Sequence, residues 1–69
     1  MQIIKWTNKY SGETGYVASL AAKEQHFNNT FSADEAKRYS DKAVKGVFTK
    51  LTNFGETENN DFECITVEE

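Results

Sequence analysis

The sequence predicts a small α+β domain: an antiparallel sheet of three or four strands in the order β-β-(β)-α-β, with one amphipathic helix packed on one face. Three observations lead there. Two β-prone runs flank a glycine-containing segment near the N-terminus, a capping signature opens a stripe of apolar residues at helical spacing, and a last β-prone run follows a polar loop. At 69 residues the chain has room for one domain, residues 1–69, with a single thin core. Its 38% hydrophobic and 13% aromatic content is too rich for a disordered acidic chain.

Gln2 to Lys9 reads as the first strand, because Ile3, Ile4, Trp6 and Thr7 are β-prone and Ile4, Trp6, Asn8 and Tyr10 share a face by the two-residue period. Ser11-Gly12-Glu13-Thr14-Gly15 follows, with two glycines able to take positive φ, and then Tyr16 to Leu20 completes a hairpin. Gly12 to Gly15 also matches the Gly-x-x-Gly clamp of one class of RNA-binding domain. That loop needs a helix on each side, and here the flanks are β-prone. Ala21 to Gln25 is a polar connector. In His26 to Phe31, alternation places Phe27, Asn29 and Phe31 on one side, which reads as a short third strand or as an extended lead-in to the helix.

Ser32-Ala33-Asp34-Glu35 has the form of a capping box. Beyond it, Ala36, Tyr39, Ala43, Val44, Val47, Leu51 and Phe54 fall within one arc of about 140° on a helical wheel, wide enough to pack on a sheet. Gly55 sits where a left-handed residue would end the helix. The unbroken stripe favours one helix of roughly 20 residues, about 30 Å long. Ser40-Asp41 offers an alternative start after a bend. Gly46 weakens the helix interior by up to about 1 kcal/mol relative to Ala. Residues 56–61 form a polar loop, and Phe62 to Val67 returns to strand character before Glu68 and Glu69, which are expected to fray. This last strand is expected beside the first, since a helix crossing the sheet delivers the chain to an open edge.

Charge divides unevenly. Residues 1–55 hold all eight basic residues and five acidic ones, whereas residues 56–69 hold six acidic residues and no basic one. Such asymmetry suits either a basic surface with an acidic tail or a sheet strand edged with Glu, and the second reading is favoured. With the last strand beside the first, Glu63 would face Lys5 or Lys9, a pairing that stabilises a sheet by roughly 0.2–1 kcal/mol.

The chain carries little that points to catalysis. A nucleophilic triad or metal centre needs convergent His, Cys and carboxylate groups, and His26 and Cys64 stand alone. His26 reads as a strand-surface residue and Cys64 as a small buried hydrophobe. No phosphate-binding loop is present, so no catalytic, cofactor-binding or metal-binding residues and no cofactor are assigned, and an enzyme is not expected. Met1 to Tyr10 lacks the apolar run of a signal peptide, and no window approaches the roughly 20 apolar residues of a membrane span. The lone Cys64 cannot make an intramolecular disulfide, so a cytoplasmic setting is expected and no membrane association. Without secretion, the glycosylation pattern Asn28-Asn29-Thr30 has no consequence.

Two surfaces compete for a binding role. The sheet face left bare by the helix is expected to expose aromatics, with Trp6, Tyr10 and Tyr16 the candidate protein-binding residues. The partner would be an unknown protein or a second copy forming a homodimer. The other surface is a basic ridge of Arg38, Lys42 and Lys45 opposite the apolar stripe, the candidate for nucleic acid. Asp34 and Asp41 precede Arg38 and Lys45 by four residues, an order that neutralises the ridge. A net charge of −3 also suits nucleic acid poorly. A protein-interaction module is therefore favoured, with nucleic-acid binding as the alternative. Six Asn and seven Lys against one Arg hint at an AT-rich genome such as that of a phage or mobile element.

Overall fold

A computed structural model describes residues 1–67; Glu68 and Glu69, expected to fray, lie outside the described residues. Four strands, β1 (Gln2–Asn8), β2 (Thr14–Ala21), β3 (His26–Thr30) and β4 (Asn60–Thr66), form one antiparallel sheet in the order β3-β2-β1-β4, and one helix, α1 (Asp41–Asn53), packs against it. The α+β class and the strand order β-β-β-α-β are those the sequence predicts, and residues 26–30 are a strand. β4 lies against β1 over seven residue pairs, from Gln2 opposite Thr66 to Asn8 opposite Asn60.

The hairpin turn is built by Asn8. Its side-chain Oδ1 accepts from the amides of Tyr10 and Ser11, its backbone carbonyl accepts from Gly12, and Gly12 takes φ +77°. An Asn side chain that imitates a backbone turn in this way fixes the chain reversal locally. Gly15, in contrast, is no turn residue. It belongs to β2, opposite Trp6.

β1 and β2 pair through only three residue pairs, Lys5–Tyr16, Trp6–Gly15 and Thr7–Thr14, after which β2 bulges between Val17 and Ser19 in its ladder with β3. Buried backbone groups need partners, and here the extended segment 36–39 supplies them. Tyr39 exchanges two 2.7 Å hydrogen bonds with Gln2, and the Lys37 amide donates to the Val17 carbonyl at 3.1 Å. This strap enters the opening between the two strands.

That insertion corrects the expected 20-residue helix. Ser32 makes no side-chain cap; residues 33–35 form a single 3-10 turn, and the Glu35 carboxylate accepts instead from the Thr30 hydroxyl at 3.0 Å. Helix α1 begins only at Asp41, where the Ser40 hydroxyl accepts from the Ala43 amide at 3.1 Å. The alternative start at Ser40 is the one that forms. At 13 residues the helix is about 20 Å long. It ends as expected, with Gly55 at φ +82° and its amide bonded to the Thr52 carbonyl.

Ile4, Trp6, Val17, Tyr39, Val44, Val47 and Leu51 form the core, flanked by half-buried Leu20, Phe27, Phe48 and Phe62. The helix contributes Val44, Val47, Phe48 and Leu51, the i, i+3, i+4, i+7 set of one face. Ala43, expected in the stripe, is exposed, while Ala36 and Tyr39 are buried by the strap. On the other face of the sheet lie Lys5, Tyr16 and Glu63 by register. Lys5 stands opposite Glu63, as the charge division suggests, and one residue pair beyond the strand end Lys9 forms an ion pair with Asp61 at 3.8 Å.

Candidate functional site

The sequence-predicted site residues do not share a surface. Trp6 is only 7% exposed and faces the helix, where it belongs to the core. Tyr16 pairs with Lys5 and so points to the opposite face, where it is half-buried. Tyr10 stands in the hairpin turn, 82% exposed. The expected exposure of Trp6 on a bare sheet face is therefore corrected: the period groups it rightly with Ile4, but that is the face the helix covers. The reason is Gly15, whose missing side chain leaves room for the indole to lie inside.

The basic ridge also changes shape. Lys42 and Lys45 project from α1, but Arg38 belongs to the strap, and all three are exposed. Asp34 lies in the 3-10 turn and Arg38 in the strap, so the two share no α-helical i, i+4 relation, and Asp41 accepts instead from the Gln2 side-chain amide at 3.0 Å. Among the described residues the ion pair within reach is Lys9–Asp61, so the neutralising pairs expected on the ridge are not made.

A site that sequence reasoning missed is assembled where α1 stops short of the hairpin end. Trp6 meets Phe27 and Phe31 at 6.3 Å between ring centroids, and Phe27 meets Phe62 edge-on at 5.5 Å. Phe31 completes this cluster while 70% exposed. Beside it opens a cleft of about 300 Å³ lined by Trp6, Phe27, three asparagines (Asn8, Asn29 and Asn60), and the acidic residues Glu13 and Glu56. Among the described residues no basic one lines it. The alternation of Phe27, Asn29 and Phe31 was visible in sequence, but their neighbours were not, because β3 reaches Trp6 only across β2.

A second hollow, of about 380 Å³, lies where Ser19 and Leu20 of β2 and the strap residues Lys37 and Tyr39 meet α1 at Ala43, Gly46, Val47 and Lys50. The Tyr39 hydroxyl is buried without a hydrogen-bond partner among the described residues, and burial raises its pKa above the usual phenol value. The indole N–H of Trp6 is likewise buried and unpartnered.

Among the described residues no three His, Cys, Asp or Glu side chains converge to hold a metal ion, and no helix is long and apolar enough to cross a membrane. His26 lies on the sheet surface, its Nδ1 3.1 Å from the Phe27 carbonyl. Cys64 is exposed on the edge strand β4, which corrects its expected burial. In comparisons with known protein families, curated proteins and solved structures, nothing matches this chain.

Proposed function

We propose that the chain is a protein-interaction module whose contact surface is the aromatic end of the helix-covered face, centred on Phe31. The observation that carries this reading is the exposure of Phe31 against a buried Trp6. A phenyl ring left in water forgoes about 1.5–3 kcal/mol of burial, which a partner that covers it recovers. The surroundings have the anatomy of a recognition patch, with aromatic anchors inside and polar groups at the rim. Glu13 and Glu56 without a cation favour a partner segment that brings an apolar side chain to Phe31 and a basic one to the cleft. They also disfavour phosphate. The exposed thiol of Cys64 is compatible with a reducing cytoplasm.

Selection from a random peptide display library tests the reading, with bound peptides mapped by amide shifts in two-dimensional NMR. Enriched peptides are expected to perturb Phe27, Phe31 and Glu56, and to lose binding to Phe31→Ser, which removes an exposed ring and leaves the fold intact. Peptides that bind Phe31→Ser equally well, or that map elsewhere, would refute it. Sedimentation of the free chain distinguishes a second copy as the occupant: a dimer abolished by Phe31→Ser identifies self-association.

A second reading retains one observation in its favour. Arg38, Lys42 and Lys45 are exposed and, among the described residues, make no ion pairs that would neutralise them, so we keep nucleic-acid binding as the alternative. Fluorescence anisotropy with mixed-sequence DNA and RNA at low salt tests it. Binding that falls steeply with salt and disappears when all three residues become Gln supports it; absence of binding at low salt removes it.

A further inference from the structure

The second hollow has properties that the chain's own packing does not require. Gly46 sits in the interior of α1, where glycine is the poorest residue short of proline, yet a Cβ built there meets no atom within 4 Å. The exposed residue therefore leaves open space along the helix that none of the described residues fills. Leu20, Ala43 and Val47 make the hollow's walls apolar, while Lys37 and Lys50 bring positive charge and, among the described residues, no carboxylate lines it. The Lys37 Nζ stands 6.0 Å from the centroid of the Tyr39 ring, over an aromatic face.

From these features we propose that the hollow between β2, the strap and α1 binds a small monocarboxylate with a short hydrocarbon body, its charge held by Lys37 and Lys50 and its chain lodged over Gly46. A volume of about 380 Å³ lies within the range of small-molecule sites. Apolar walls with two positively charged lining residues select an amphipathic anion over a neutral or cationic molecule of the same shape, because only the anion gains Coulomb attraction to the lysines. This site is separate from the aromatic patch and does not rest on the reading given for it.

Two-dimensional NMR titration of the full chain with sodium hexanoate, hexanamide and hexylammonium chloride at matched ionic strength tests the proposal. Hexanoate is expected to shift the amides of Ser19, Leu20, Ala43 and Gly46 saturably, and the other two probes are not. Replacing both Lys37 and Lys50 by Gln should weaken hexanoate about tenfold, as expected on losing charge-assisted contacts. Gly46→Leu should abolish the shifts while the melting temperature holds or rises, which separates a filled hollow from an unfolded chain. Absence of saturable shifts with hexanoate, an equal response to all three probes, or undiminished binding by Gly46→Leu would each overturn it.

Discussion

The indole of Trp6 lies directly on Gly15, its cross-strand partner: a Cβ added at Gly15 would stand 2.6 Å from Trp6 Cζ2 and 2.8 Å from Nε1. Glycine is therefore required here by close approach and not by backbone angle. Because Trp6 is held in the core, it cannot swing aside as an exposed side chain would. Gly15→Ala is expected to destabilise the fold by about 1–3 kcal/mol through overpacking, read as a lower midpoint in urea. A variant as stable as the parent would mean that the indole is free to move. Trp6→Ala removes roughly 3–5 kcal/mol, a large share of what so small a domain holds, and unfolds it.

The two candidate helix starts separate cleanly by mutation. Ser40→Ala should lower stability by about 1 kcal/mol, since its hydroxyl satisfies the Ala43 amide. Ser32→Ala should stay within roughly 0.5 kcal/mol of the parent, because that side chain caps nothing. Thermal melts followed by circular dichroism check both, and the reverse ranking would contradict the short helix.

Tyr39 links stability to alkaline pH. Burial raises its pKa in the folded chain above the unfolded value of about 10. The unfolded chain therefore loses this proton first, so the contribution is fully present below about pH 10 and is lost as pH rises from there through the folded pKa. Tyr39→Phe should flatten that part of the stability curve. At neutral pH it should cost little, because the hydroxyl it removes has no partner. Urea midpoints measured across the alkaline range decide the matter, and parallel curves for the two proteins would contradict it.

Lys5 and Glu63 face each other across β1 and β4 on the surface opposite the helix. Glu63→Lys should destabilise by roughly 0.2–1 kcal/mol by placing like charges opposite, and exchanging the two residues in a Lys5→Glu/Glu63→Lys double variant should restore most of the loss. High salt should shrink both effects. Denaturation curves in low and high salt provide the test; a double variant no better than the single one would show that the pair is uncoupled.

The strand run at Gln2–Asn8, the hairpin, the end of the helix at Gly55 and the pairing of the last strand with the first were all legible in sequence, because each rests on local chemistry. Two-residue alternation, glycine at positive φ and segregated charge act on near neighbours, and the neighbours are in the sequence. Within the acidic C-terminal segment, Asn60–Thr66 is likewise a sheet strand, with Asp61 and Glu63 beside Lys9 and Lys5. The candidate site was less legible. Phe31 could be named as apolar, but its contact with Trp6 and its exposure depend on where β3 lies and where α1 stops.

The sequence by itself determined the class of the fold, the order of its main elements and which residues are apolar enough to form its core, while the reality of the third strand was left open. Only the tertiary structure decided which face of the sheet the helix covers and how much of the stretch from Ser32 to Phe54 is helical. Ala36 and Tyr39 fit the helical stripe, yet their burial is met equally well by an extended strap. The choice falls to backbone hydrogen bonds: β1 and β2 part beyond Lys5 and Tyr16, and the unpaired groups of Gln2 and Val17 hold the strap extended. Those partners are distant in the chain, and apolar periodicity carries no information about them.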